Sequence, residues 1–276
     1  MKRKYACPDF SFPMVRHDQA LKIIQTLEFE GVDIGLMQDR THLQPADQLI
    51  APEKSGQALG ERLRAQGLKP SDLFLQAGLD FSQVAINRPE PKTRGALREL
   101  FVRALDYACA MGSGHMTVLP GASFGGDGTD WARCVEELTW RVERARERSI
   151  VLGIEAHLGS IAPTPELALK LLSQVDGLTL TLDFSHFIRQ GISMERCLKL
   201  IPWASHFHAR GANPHKLQCA VEENAIDFVR ALRALDEAGY TGWICTEYTY
   251  EEWENCNRTD GISEMMQLRA LLETVE

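Results

Sequence analysis

Residues 235–248 read LDEAGYTGWICTEY and contain one complete unit of the pattern that organises this 276-residue chain. The end of an amphipathic stretch is followed by Gly239, then by a short β-branched and apolar run, and then by Glu247. A glycine in this place is typical of a helix that ends in the left-handed conformation before a strand begins. The segment therefore predicts a helix, a turn and a strand with an acidic residue at its carboxyl end.

The same pattern recurs at 26–36 (TLEFEGVDIGL), 63–76 (LRAQGLKPSDLFLQ) and 107–120 (YACAMGSGHMTVLP). We expect Gly31, Gly67 and Gly112 to end helices in the left-handed conformation, as Gly239 does. Thr164 and the Pro165 and Glu166 that follow it predict the start of a further helix, because threonine caps helix amino termini and proline is favoured in the first turn. Strands are predicted to begin near Lys4, Val32, Asp72, Met116, Val151, Thr179, Ala204 and Trp243.

Eight strands that alternate with segments of helical period predict an α/β fold with parallel strands. Eight such units can close into a (β/α)8 TIM barrel, and the absence of a convincing linker favours a single domain over residues 1–276. A doubly wound open sheet is the alternative. It is disfavoured because the glycine-rich phosphate loops of nucleotide-binding open sheets are missing.

Composition limits the classes of function. Hydrophobic residues make up 44% and charged residues 25%, as in globular chains with a large core. The formal net charge of -8 argues against a nucleic-acid partner. The apolar runs are too short for a membrane span, which needs about 20 residues, so we expect no membrane partner.

The cysteines and the amino-terminal sequence bear on location. Seven scattered cysteines without a CxxC pair suit a reducing compartment. The start, MKRKYACPDFSFP, lacks the apolar run of a secretory signal. These features predict a cytoplasmic protein. Whether the protein forms a homo-oligomer is left open, since apolar residues near Trp140 and Trp253 fit a subunit interface as well as core packing.

The last four predicted strands end in residue types that bind metals. Their sequences are VLGIEAH, LTLTLDFSH, ASHFHAR and GWICTEY, which place Glu155, Asp183, His208 and Glu247 at corresponding heights. In a parallel barrel these carboxyl ends meet at the mouth, where active sites form. Three carboxylates and one imidazole favour a divalent ion, with manganese preferred and magnesium, cobalt or zinc as alternatives. Without an ion, the three carboxylates would repel one another.

These strand ends resemble the xylose isomerase-like TIM barrel superfamily, the sugar phosphate isomerase/epimerase family. The resemblance lies in GIEAH, DFSH, the HFH of the seventh strand and the TEY of the eighth, between residues 151 and 248. It implies that Glu155, Asp183, His208 and Glu247 hold one divalent ion. It also implies that Glu155 and Glu247 are catalytic and face opposite sides of a substrate carbon.

The resemblance implies an isomerase or epimerase that acts on a keto sugar or related polyol derivative. Removing a proton next to a carbonyl leaves an enediolate, whose negative oxygens need a cation in place. One carboxylate can take this proton while the other returns it. The expected partner is therefore a small-molecule carbohydrate substrate.

Three further residues are predicted to bind substrate. The resemblance implies that His186, three residues after Asp183, forms a hydrogen bond with a substrate oxygen. Arg210 and His157 each lie two residues beyond a predicted ligand, so they point to the same side if the strand continues. The alternatives are a surface salt bridge for Arg210 and a hydrogen-bonded loop position for His157. His206 also points inward and is the alternative to His208 as ligand, with a packed or supporting role preferred for it. Tyr248, Tyr250 and Trp253 are candidates for an apolar wall under a sugar ring, with packing of their loop against the barrel top as the alternative.

Two departures leave the substrate open. The 3-epimerases of this superfamily often have a glutamate where Ile161 stands and an arginine where Pro214 stands. A metal-dependent lyase or dehydratase acting on keto-glycosides or keto-inositols is therefore the alternative enzyme. Less favoured are a sugar-binding barrel without catalysis and an endonuclease IV-like phosphodiesterase, for which the early strands offer too few histidines.

Overall fold

The computed structural model describes residues 3–125 and 128–275. Eight parallel strands form a closed barrel in chain order, and β8 pairs with β1. The TIM barrel prediction is confirmed, and the alternative of an open sheet is wrong. The strands are β1 (Lys4–Pro8), β2 (Gly31–Met37), β3 (Lys69–Gln76), β4 (His115–Val118), β5 (Val151–Ile154), β6 (Thr179–Asp183), β7 (Ala204–Ala209) and β8 (Trp243–Thr246).

Helices surround the barrel and return the chain to the start of each next strand. The longer ones are α1 (His17–Thr26), α3 (Pro52–Ala65), α5 (Pro91–Met111), α6 (Thr129–Arg146), α7 (Pro165–Gln174), α10 (Phe228–Glu237) and α11 (Gly261–Glu273). Short helices lie in the loops: α2 (Pro45–Gln48), α4 (Phe81–Val84), α8 (Ser185–Ile188) and α9 (Met194–Leu198). None of the helices within the described ranges is both long and apolar enough to cross a bilayer.

Three of the four helix-ending glycines have the predicted conformation. Gly67, Gly112 and Gly239 have φ values of 71°, 92° and 72°. The prediction for Gly31 is wrong: this residue begins β2, and Glu28, with φ of 60°, is the left-handed residue after α1. Gly31 is instead a packing position, because a Cβ atom there would lie 2.7 Å from the ring of Trp243.

The predicted helix start at Thr164 is confirmed. The Thr164 side chain accepts a hydrogen bond from the backbone N–H of Leu167 at 3.4 Å, and Pro165 is the first residue of α7. This cap satisfies one of the free N–H groups in the first turn. It fixes where the loop after β5 ends, and that loop carries Glu155 and His157.

Helices α3 and α5 pack closely through glycine, which allows a paired test of stability. A Cβ atom on Gly56 would lie 2.4 Å from the carbonyl oxygen of Tyr107, whereas one on Gly95 would meet nothing within 4 Å. Both positions are helical. We expect Gly95→Ala to stabilise the fold by about 0.5–1 kcal/mol through helix propensity. Gly56→Ala should destabilise it by about 1–3 kcal/mol because the helices must separate. Urea denaturation measures both, and equal shifts would contradict the packing argument.

The cysteines differ in exposure, which predicts their reactivity. All seven are free thiols; Cys109 is exposed and the other six are buried. Burial raises the pKa of Cys134 and of Cys197 to about 12. Since the thiolate is the reactive form, we expect one thiol to react with Ellman's reagent in the native protein and seven in guanidinium chloride. Cys109→Ser should remove the native signal, and rapid reaction of several thiols in the native state would contradict this arrangement.

Candidate functional site

The barrel ladder holds both predicted catalytic glutamates just beyond their strands. The backbone N–H of Glu155 donates to the carbonyl of Val118 at 3.1 Å, and that of Glu247 donates to the carbonyl of Ala209 at 3.0 Å. Asp183 ends β6 and lies opposite His208 in the pairing of β6 with β7. All four residues are at least 95% buried. The ends of four successive strands therefore bring them to one level.

The four side chains converge on one point. One ligand atom of each of Glu155, Asp183, His208 and Glu247 lies within 4.8 Å of the corresponding atoms of the others. Nδ1 of His208 is 2.9 Å from Oε1 of Glu155 and 3.4 Å from Oε2 of Glu247. Within the described part of the chain this buried Oε2 accepts no hydrogen bond, and its nearest cationic neighbour is Nη2 of Arg210 at 3.3 Å. An orphaned carboxylate oxygen within a set of hard donors fits a divalent cation.

Charge interactions set the protonation of the cluster. Burial would raise the pKa of Glu155, but His186 and His208 bring this pKa well below its usual range. Burial would lower the pKa of His208, but Glu247, Asp33 and Glu155 hold it well above its usual range. Opposite charges at short range thus outweigh the desolvation of each group. The Glu155 carboxylate is consequently ionised and available to a cation.

Arg210 and His186 form a second layer of contacts beside the cluster. Nη2 of Arg210 donates to Oδ2 of Asp183 at 2.7 Å, and Nε donates to Oγ of Ser185 at 2.9 Å. The same Nη2 lies 3.1 Å from Nε2 of His186. Nε2 of His186 is also 3.7 Å from Oε2 of Glu155 and 3.6 Å from Oδ2 of Asp183. Arg210 is thereby fixed next to the carboxylates and does not extend into solvent.

His157 lies next to His186, with ring centroids 5.6 Å apart. Its Nδ1 is 2.5 Å from the carbonyl oxygen of Leu158 and donates to it. Burial and the neighbouring His186 lower the pKa of His157 to about 4. The ring is therefore neutral at pH 7, with the lone pair on Nε2, and it can accept a hydrogen bond from a hydroxyl group.

A cavity of about 710 Å³ opens above the cluster. The three residues predicted to bind substrate line it together with the two glutamates; they are His157, His186, Arg210, Glu155 and Glu247. Its apolar lining includes Phe10, Met37, Phe74, Phe81, Leu119 and Trp253. Tyr250 also lines it, but Tyr248 does not: this residue is fully buried, and its hydroxyl accepts from the N–H of Gly211 at 2.9 Å. For Tyr248 the structure therefore supports the alternative of packing.

The sequence analysis missed two features of the site. Asp33, in the middle of β2, is buried next to His206 and His208. The sequence feature that could have revealed Asp33 is that it is the single charged residue within the otherwise apolar run GVDIGLM. Arg40, after β2, forms an ion pair with Glu251 after β8 and donates to Gln76 at 2.7 Å. Both Arg40 and Glu251 line the cavity, so their ion pair joins two loops around it.

Comparison with known proteins identifies the fold family. Residues 21–271 match the family model described as xylose isomerase-like TIM barrel. The chain belongs to this family. Among curated proteins, no sequence matches it. The family assignment agrees with the closed eight-stranded barrel.

Solved structures of similar shape cover almost the whole chain. One is a D-tagatose 3-epimerase-like protein, with a TM-score of 0.76, 20% identity, and coverage of 99% of this chain and 98% of that one. A second is D-psicose 3-epimerase from Clostridium cellulolyticum H10, with a TM-score of 0.75, 13% identity, and coverage of 99% of each chain. A third is a probable 3-DHS dehydratase from Bacillus anthracis, with a TM-score of 0.69, 15% identity, and coverage of 96% of this chain and 98% of that one. At these identities the similarity establishes the fold alone.

The two departures from the 3-epimerase pattern are visible in this xylose isomerase-like barrel. Ile161 is buried, and its backbone N–H donates to the carbonyl of Gly121 at 2.7 Å. Pro214 lies near Arg189, whose Nη1 donates to the proline carbonyl at 3.3 Å. Neither residue lines the cavity. These two positions therefore contribute nothing to the lining of the cavity.

Proposed function

We propose that this protein is an isomerase or epimerase that uses one divalent ion, with manganese preferred, and acts on a keto sugar or related polyol derivative. The observation that carries the proposal is the convergence of Glu155, Asp183, His208 and Glu247 around an orphaned carboxylate oxygen at the base of a cavity. Family membership and the shapes of the epimerases support it.

Glu155, Asp183, His208 and Glu247 would hold the ion. When bound, the ion supplies positive charge for the oxygens of a substrate carbonyl and a neighbouring hydroxyl. Three carboxylates and one imidazole are the donors that suit manganese or magnesium. Magnesium, cobalt and zinc stay as alternatives to manganese.

The two glutamates would move the proton. Both line the cavity and are held by the barrel ladder. One carboxylate removes the proton from the carbon next to the carbonyl, and the other returns a proton to that carbon or to its neighbour. Return from the opposite face gives the epimer, and return to the neighbouring carbon gives the isomer.

The other polar groups of the cavity would orient the substrate. His157 accepts from a hydroxyl through Nε2, while His186 and Arg210 donate to substrate oxygens. The outer part of the cavity carries Asp39, Glu251 and Glu252, and its Arg40 is already paired with Glu251. The negative charge of these residues disfavours a phosphate group, so we propose that the substrate is an unphosphorylated carbohydrate.

The test is incubation of the metal-loaded protein with a panel of keto sugars, keto-glycosides and keto-inositols in deuterated water. Deuterium next to the carbonyl, without loss of a substituent, is expected and selects an isomerase or epimerase. Release of a sugar or of water together with label selects the lyase or dehydratase. Tight binding with no exchange on any substrate would contradict catalysis and leave a sugar-binding barrel.

A further inference from the structure

The far side of the His208 ring faces a carboxylate outside the four-residue cluster. Nδ1 of His208 points to Glu155 and Glu247, and Nε2 lies 3.3 Å from Oδ2 of Asp33. Asp33 is fully buried in β2, far from His208 in sequence. The two nitrogens of one imidazole thus have different partners on opposite sides of the ring.

Asp33 determines which nitrogen of His208 carries the proton. An ionised carboxylate only accepts hydrogen bonds, so Nε2 of His208 must be the donor. In the neutral ring, the lone pair is then on Nδ1 and points at the oxygens of two glutamates. That orientation is stable only with a cation between them, either a metal ion or a second ring proton. The ring is therefore arranged to bind a metal through Nδ1.

The Asp33 carboxylate is itself fixed on both oxygens. Nε2 of His206 donates to Oδ2 at 2.7 Å, and the Ser71 hydroxyl donates to Oδ1. The His206 ring stacks on that of His115 at a centroid distance of 5.3 Å. A carboxylate with these partners cannot rotate away from His208 without leaving buried donors unpaired. Asp33 is thus a rigid acceptor beneath the cluster.

Asp33, His206, His208 and Cys245 could be read as a second metal site, because their ligand atoms also lie within 4.8 Å of one another. The hydrogen bonds argue otherwise. Both oxygens of Asp33 are paired with protein donors, and these four residues contribute no orphaned polar atom in the described part of the chain. The other cluster has one at Glu247. The Asp33 group therefore supports the site above it.

We propose that Asp33 is a positioning residue that holds His208 with Nδ1 directed at the ion. Carboxylates that accept the second N–H of a metal-bound histidine fix its tautomer and orientation, and their loss costs about 10–100-fold in metal affinity. The inference rests on the proposed function, because it requires that the cluster binds an ion. It adds a residue of the second strand to a site built from the last four.

The chain offers a matched control in Asp72. Asp72 is opposite Asp33 in the pairing of β2 with β3 and is equally buried. Its Oδ1 is 2.6 Å from Nδ1 of His115, a histidine outside the four-residue cluster. A general effect of removing a buried aspartate–histidine pair would appear in both Asp33→Asn and Asp72→Asn. An effect on metal binding should appear in Asp33→Asn alone.

The experiment is calorimetric titration of the metal-free proteins with Mn²⁺. We expect Kd to rise about 10–100-fold in Asp33→Asn and to stay within about threefold of the wild type in Asp72→Asn. Equal affinity of Asp33→Asn and the wild type would overturn the role of Asp33 and leave the proposed function standing. A wild-type protein that takes up no ion would overturn both.

A second measurement needs only the wild type and so does not depend on the folding of a variant. In protein labelled with ¹⁵N-histidine and loaded with ¹¹³Cd²⁺, a scalar coupling between cadmium and Nδ1 of His208 is expected. Its Nε2 should carry a slowly exchanging proton. Coupling to Nε2 would overturn the inference, since Asp33 would then face the wrong nitrogen.

Discussion

Glu247→Gln should lower kcat by about 10³-fold or more, while the protein stays folded. The amide keeps nearly the same volume but cannot take up a proton, and a positioned general base contributes about 10²–10⁴-fold. It is also a poorer ligand for a hard cation than a carboxylate. The loss is measured as the rate of deuterium incorporation into the panel substrate, and circular dichroism confirms the fold.

Glu252→Gln is the matched control for this substitution. Glu252 lines the outer part of the same cavity but is exposed and lies outside the four-residue cluster. The same change of charge there should leave kcat within about threefold of the wild type, because surface charges in water interact weakly. Full activity in Glu247→Gln would refute the assignment of this glutamate as a proton carrier.

Removal of the ion should abolish turnover, and Mn²⁺ should restore it. Without a cation, Glu155, Asp183 and Glu247 lie close together with Arg210 as the neighbouring fixed positive charge. A ligand that binds only the native state and is present at about 100 times its Kd raises the free energy of unfolding by about 2.7 kcal/mol. That corresponds to a rise in Tm of about 5 °C. Thermal melts after chelation, with and without added Mn²⁺, measure this shift.

Asp183→Asn distinguishes binding at the cluster from binding elsewhere. The substitution removes one ligand charge, so the rise in Tm with Mn²⁺ should largely disappear. In Glu252→Gln the rise should be unchanged. An equal rise in Tm in Asp183→Asn would show that the ion binds at another place and would remove the basis for the metal site.

Short stretches of the sequence predict much of the architecture. The starts of β1, β5, β6, β7 and β8 coincide with the predicted residues Lys4, Val151, Thr179, Ala204 and Trp243. Gly67, Gly112 and Gly239 have the expected left-handed conformation, and Thr164 caps α7. These features depend on backbone preferences and periodicity within a few residues, and strand order in a parallel barrel then follows from the chain order.

Errors and omissions arise where the deciding contact is distant. Gly31 was predicted to end a helix, but its lack of a side chain accommodates Trp243, which follows more than two hundred residues later. For Tyr248 the sequence left open whether it lines the cavity or packs, and the hydrogen bonds of its hydroxyl with Gly211 and Cys219 decide for packing. No local pattern encodes such contacts, because the closing of the barrel creates them.

By itself, the sequence determined the eight alternating units and the metal-binding residue types at the ends of the last four strands. Only the tertiary structure decided that Asp33 lies behind His208 and that Arg40 joins Glu251 beside the cavity. The physical reason is the sequence separation of the interactions involved. Secondary structure and strand endings are set by neighbours along the chain. The protonation, orientation and enclosure of a site depend on charges and hydrogen bonds that meet only when the first strands close against the last.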